Sequence, residues 1–101
     1  MSPEWAAGLF EGEGYIRQFN PRYGTYSVVV KMTDLDVLER LNDMYGGKIY
    51  TERSIPNRKP IWTWTITRKA GVKNFLLSIF PFLLERRSYL ASNLLDDIDA
   101  R

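Results

Sequence analysis

The chain has 101 residues at 11.8 kDa, of which 45% are hydrophobic, 26% charged and 14% aromatic, with a formal net charge of +2. That length suits a single domain, 1–101, able to bury a core but too small to enclose a deep cavity as well, so a large active surface has to come from association. Cysteine and histidine are both absent, which removes disulfides, thiol nucleophiles, Cys or His zinc sites and any base built on imidazole. Catalysis is left to carboxylates, Lys, Arg, Tyr, backbone groups and oxygen-bound metal. No apolar stretch reaches the length of a membrane span. The start, Met1 to Trp5, lacks the basic and apolar runs of a signal peptide. These features point away from membranes and secretion, toward a cytosolic setting.

Ser2-Pro3-Glu4 combines a capping hydroxyl, a proline suited to a first turn and an early acid, and so opens a helix. Trp5 and Leu9 fall on one of its faces and Gly8 and Gly12 on another, and Gly14 ends it. Tyr15 to Asn20 reads as a strand and Asn20 to Gly24 as a turn. Thr25 to Met32 reads as a second strand, with Tyr26, Val28, Val30 and Met32 inward and Thr25, Ser27, Val29 and Lys31 outward. Thr33-Asp34-Leu35-Asp36 resembles a capping box, and Leu35, Leu38, Leu41 and Tyr45 follow at helical spacing until Gly46-Gly47.

Lys48 to Glu52 reads as a third strand, with Ile49 inward. Ser54 to Pro60 is a proline-rich basic loop and Ile61 to Thr67 a fourth strand. Trp62, Trp64 and Ile66 alternate on one face of it and Thr63 and Thr65 on the other. The tryptophans could be stacking platforms, but the continuation through Ile66 makes them core. A helix from about Lys69 to Pro81 and another from Glu85 to Ile98 close the chain. The class is α+β: a four-stranded antiparallel sheet with helices on one face, in the order αββαββαα.

The charges are unevenly divided. Residues 15–33 and 46–73 together hold ten bases and one acid, Glu52, whereas the other segments hold four bases and eleven acids. A solvated face ordinarily mixes both signs, so a sheet face this basic is the footprint of a polyanion. The small residues of the first helix point to a second partner. Glycine costs about 1 kcal/mol in a helix interior, and two of them four residues apart suggest a stripe where another backbone comes close. If that backbone is a second copy, two Glu13 carboxylates meet at the helix ends and repel unless a divalent cation lies between them.

The run Trp5-Ala6-Ala7-Gly8-Leu9-Phe10-Glu11-Gly12-Glu13-Gly14-Tyr15-Ile16 resembles the signature of the LAGLIDADG homing endonucleases. It departs from the name-giving pattern by using glutamate at both acidic positions and Ala6 in place of leucine. Tyr45-Gly46-Gly47-Lys48-Ile49, Trp62-Thr63-Trp64 and Phe80-Pro81-Phe82-Leu83 stand where that family has similar elements, and the family repeat has the same αββαββαα order. The resemblance implies a homodimer that cuts double-stranded DNA with Mg2+, other divalent cations such as Mn2+ or Ca2+ also binding. The target would be long and pseudo-palindromic, the cut would leave 3′ overhangs, and the gene would be linked to intron or intein mobility.

Carried onto this chain, the resemblance assigns metal binding to Glu13 and Gly12, catalysis to Glu13, Asp34 and Arg86, and the dimer contact to Ala7, Gly8, Glu11 and Gly12. Asp34 could equally be a helix N-cap, and Arg86 and Arg87 a solvated helix start. The expected DNA contacts are Tyr15, Arg17, Phe19, Arg22, Tyr23, Thr25, Ser27, Val29, Lys31, Lys48, Tyr50, Glu52, Arg53, Arg58, Lys59, Thr63 and Thr65. Of these, Arg22, Arg53, Arg58 and Lys59, on turns, are placed to grip phosphates. The alternative is a non-cutting binder, either a DNA-binding regulator or an RNA maturase. A pure dimerisation module would leave the basic sheet unexplained.

Overall fold

Ser2 starts the first helix as its sequence suggests. Its Oγ accepts the Trp5 N–H at 3.3 Å, and Pro3 occupies a first-turn position where no N–H is needed. The computed structural model describes residues 2–20, 25–51, 56 and 59–100, with only the backbone of 18–20, 25, 99 and 100. Along it run helix α1 (Pro3–Glu13), strands β1 (Gly14–Asn20) and β2 (Thr25–Met32), helix α2 (Leu35–Tyr45), strands β3 (Lys48–Thr51) and β4 (Trp62–Ile66), and helices α3 (Lys69–Ile79) and α4 (Glu85–Ala100). The expected αββαββαα order is borne out, with one addition: Phe80–Phe82 forms a 3-10 turn between α3 and α4. Pro81 cannot continue the i to i−4 bonding of α3, and the tighter turn absorbs it.

The sheet has the order β1-β2-β4-β3 and every neighbouring pair is antiparallel. The start of β1, the end of β2 and the start of β4 therefore share one end of the sheet, with Gly14 opposite Val30 and Met32 opposite Trp62. The helices lie on the inner face. Val28, Val30, Trp64 and Ile66 are buried there against Ala6, Phe10, Leu38, Leu41, Phe75, Leu76, Ile79 and Leu94. Phe75 is the hub of this layer. Its ring meets Phe10, Tyr45 and Trp64 edge-on, at centroid distances of 5.5, 4.8 and 5.3 Å. Such pairs each add about 0.5–1.5 kcal/mol to the area they bury.

Trp64 is fully buried and its indole N–H donates to the Gly46 carbonyl at 3.0 Å, so the core reading of the tryptophans holds. The acceptor lies in the α2–β3 turn, where Gly46 and Gly47 have φ of 74° and 113°. A Cβ on Gly47 would stand 2.6 Å from the Thr65 carbonyl oxygen, so the turn needs glycine for both backbone conformation and space.

The capping box expected at Thr33 is not formed. The helix starts one residue later, with Asp34 at the N-cap and no side-chain cap bond. β3 is described as far as Thr51, Glu52 lying outside the described residues; β4 is shorter than expected, at Trp62–Ile66, while α4 runs on to Ala100. Among the described residues no helix is long and apolar enough to cross a membrane.

Candidate nucleic-acid interface and metal site

The outer face of the sheet is built in rows set by the register. Tyr15, Val29, Thr65 and Lys48 lie side by side across the four strands; Lys31, Thr63 and Tyr50 form a second row; Arg17 stands opposite Ser27. Tall side chains stand at the rims and short ones on the floor. Tyr15 and Tyr50 are 37% and 48% exposed, whereas Ser27 and Thr63 are fully covered. Among the described residues this face carries Arg17, Lys31 and Lys48 and no acid.

Three expected contacts are therefore corrected. Ser27, Val29 and Thr63 are on the outward side by strand parity, but they are buried and offer no surface to a ligand as the protein stands. The central strands are flanked on both sides, so their short side chains sink below taller neighbours. Thr65 Oγ1 is engaged within the sheet, donating to the Val28 carbonyl at 3.0 Å. Lys59 is exposed beyond β3. Arg22, Tyr23, Glu52, Arg53 and Arg58 lie outside the described residues, and Phe19 and Thr25 are described only in backbone.

The two acids of the α1 motif part company. Glu11 turns into its own chain: Oε1 accepts the Leu84 N–H at 3.0 Å, and Oε2 lies 3.7 Å from Arg87 Nε. The Arg87 guanidinium in turn sits 5.3 Å from the centre of the Phe10 ring. Glu11 thus fastens the end of α1 to the start of α4 within one chain. Glu13 is exposed and makes no hydrogen bond or ion pair among the described residues.

Antiparallel pairing places Glu13, just before β1, and Asp34, just after β2, at the same end of the sheet. Asp34 is exposed. Arg86, exposed in the first turn of α4, lines a groove of about 740 Å3 together with Glu11, Tyr15, Tyr26, Leu84, Leu90 and other residues of α1, β1 and α4. Gly8 and Gly12 face open space on the outside of α1, with nothing within 4 Å of a Cβ built on either. Ala7, expected beside them in the dimer contact, is instead fully buried in the chain's own core, a third of a turn from the glycine stripe. No group of three acidic side chains that could hold a metal occurs among the described residues.

Sequence reasoning missed the Leu84 amide, the Arg87 pairing and the groove. All join residues about seventy positions apart in the chain, and no local spacing announces such a pairing.

No protein-family model matches the chain. Over 46 residues, 46% of this chain and 7% of the relative, it is 30% identical to an intron-encoded RNA maturase, bI4, of Saccharomyces cerevisiae. Among solved structures it is similar to the homing endonuclease I-CvuI in complex with its target, with a TM-score of 0.74 and 18% identity over 96% of this chain and 65% of that one. I-TnaI, another homing endonuclease, gives a TM-score of 0.74 at 15% identity over 97% of this chain and 71% of that one. The LAGLIDADG meganuclease I-CpaMI, bound to uncleaved DNA, gives 0.73 at 16% identity; this chain is covered to 98% but spans only 36% of that one. The resemblance read from Trp5 to Ile16 is thereby borne out in three dimensions: the chain has the fold of the LAGLIDADG homing endonucleases.

Proposed function

We propose that residues 1–101 act as one domain of a homodimeric, site-specific endonuclease for double-stranded DNA that uses a divalent cation at the ends of two apposed α1 helices. The observation that carries this reading is the junction of α1 and β1. There Glu13, exposed and without a hydrogen bond or ion pair among the described residues, stands at the edge of a sheet face bearing Arg17, Lys31 and Lys48. A basic saddle draws in the phosphate backbone, and a carboxylate beside a phosphodiester is repelled unless a cation lies between them. I-CvuI with its target and I-CpaMI with uncleaved DNA support duplex DNA as the partner.

The donors present fit Mg2+, and equally Mn2+ or Ca2+. Glu13 offers carboxylate oxygens, and Gly12 lies in the last helical turn, where main-chain carbonyls lack intrahelical partners. A second Glu13 from a second copy completes the acidic set. The open stripe of Gly8 and Gly12 lets the two helices approach closely enough to bring it there. The 36% coverage of I-CpaMI also leaves room in that chain for another unit of this size, which here a second copy would supply.

A divalent cation bound at this position supplies an activated water and charge stabilisation for the leaving oxygen. The chain's own residues do the rest. Arg86 presents its guanidinium toward the phosphate, Asp34 orders water at the same end of the sheet, and Arg17, Lys31, Lys48 and Lys59 hold the duplex in place.

A second reading, an RNA maturase without cleavage, is supported by the similarity to bI4. Selection of cut sites from a randomised duplex library with Mg2+ separates the two. Recovery of one pseudo-palindromic site, abolished in Glu13→Gln, is the expected result. Tight binding of structured RNA with no cutting of any duplex would replace the nuclease with the maturase.

A further inference from the structure

The charges on α4 run against its macrodipole. Its first turn holds two bases, Arg86 and Arg87, against the acid Glu85; Asp96 and Asp97 stand near its other end, and its last turn has no base. A helix alone favours the reverse order. At helical spacing Arg86, Tyr89, Leu90, Asn93 and Asp96 share one stripe, turned away from the buried Ala91, Leu94 and Ile98. All five are exposed, and Tyr89 and Leu90 are large side chains left 69% and 48% open. Neither Arg86 nor Asp96 makes a hydrogen bond or ion pair among the described residues.

We infer that this stripe takes a second copy of itself, two α4 helices packing antiparallel across a two-fold axis at the level of Ala91. The argument is charge complementarity. Turned end for end, the stripe matches itself: Arg86 meets the partner's Asp96, Tyr89 meets the partner's Asn93, and Leu90 lies beside its own mate at the axis. A parallel pair would set base on base and acid on acid. The charge order that disfavours one helix thus favours two. Under the nuclease reading Arg86 also faces a phosphate, and one guanidinium does not serve both contacts. The α4 pairing therefore belongs to the DNA-free protein, and duplex DNA displaces it. This competition rests on that reading; the pairing itself does not. A contact along one helix of 16 residues, about 24 Å long, is smaller than a standard interface of about 1,200–2,000 Å2. The pairing is accordingly weak and populated well above micromolar concentration.

The chain has no cysteine, so a single introduced one reports the contact. Leu90→Cys, oxidised in air without DNA, should form a disulfide-linked pair about tenfold faster than Leu77→Cys, a site on α3 with similar exposure. Adding Asp96→Arg to Leu90→Cys should slow the linkage about tenfold, and adding Arg86→Asp to both should restore it. Sedimentation without DNA at several hundred micromolar and low salt should show a further doubling of mass, lost in Asp96→Arg. Equal rates at the two cysteine positions, or no rescue by the charge swap, overturn the inference whatever the protein does with DNA. Linkage that bound duplex leaves unchanged overturns the competition. A wild type that binds no duplex overturns the nuclease reading and leaves the pairing standing.

Discussion

The Phe10 ring fills the space where Gly14 would carry a side chain: a Cβ there would stand 2.2 Å from ring atom Cδ2 and 2.8 Å from Cε2. Phe10 is itself fully buried and in edge contact with Phe75, so a Cβ at position 14 would press on a ring packed into the core. The residue after Glu13 is glycine because the helix and the strand turn about that ring. Gly14→Ala is expected to cost about 1–3 kcal/mol by overpacking. Denaturant unfolding would register it as a lower midpoint at unchanged slope.

Glu11 accepts the Leu84 N–H and faces Arg87, in the manner of a long-range cap on α4. Glu11→Ala should therefore lower stability by about 0.5–2 kcal/mol, the range seen when helix caps are removed. Glu11→Gln keeps an acceptor for the amide and gives up only a partly exposed ion pair, worth about 0–1 kcal/mol. Thermal melts of the two variants should rank wild type, then Gln, then Ala.

Replacing Gly8 by leucine adds bulk to a helix face that has open space in the single chain. The fold should tolerate it, with an unchanged far-ultraviolet spectrum, while the dimer dissociates. Sedimentation at micromolar concentration checks this: the wild type should run as a dimer and the variant as a monomer.

Glu13→Gln should separate binding from cutting. The amide keeps the size and one carbonyl oxygen but gives up the charge that holds a divalent ion. Both sites of a dimer change together, so neither strand should be nicked in Mg2+, while the target stays protected from a footprinting nuclease. Cutting at the wild-type rate would remove Glu13 from the metal site.

In the segment before β4, removing the charge of exposed Lys59 should weaken binding to all duplexes alike and reduce the salt slope by about one unit, as expected for one phosphate no longer neutralised. Removing Arg17 should cost about 1–3 kcal/mol on the preferred site if it reads a base edge. Titrations at several salt concentrations on specific and random duplexes distinguish the two roles.

The element order was legible because each segment declares its period. Val28 and Val30 alternate, Leu38 and Leu41 recur at helical spacing, and Gly46-Gly47 punctuates between them. What stayed hidden depends on three-dimensional depth. Strand parity told the side of the sheet on which Ser27, Val29 and Thr63 lie but not how far their taller neighbours bury them. Helical spacing put Ala7 near Gly8, yet a step of about 100° around the axis carries it from the open stripe into the core. Glu11 and Leu84 meet only through packing of the first helix against the last.

The junction of α1 and β1 has a mechanical consequence. With no residue between them, β1 is a lever fixed to the helix, and seven residues of strand extend it by about 23 Å. In two copies joined along α1, a change of about 10° in the helix crossing angle would swing each outer strand end by about 4 Å, slightly more than the rise of roughly 3.4 Å per base pair. In a homodimer of the proposed kind, the angle at which the two helices cross would set the number of base pairs separating the two half-sites. A substitution beside Gly8 could shift that spacing without touching a single residue that faces the DNA.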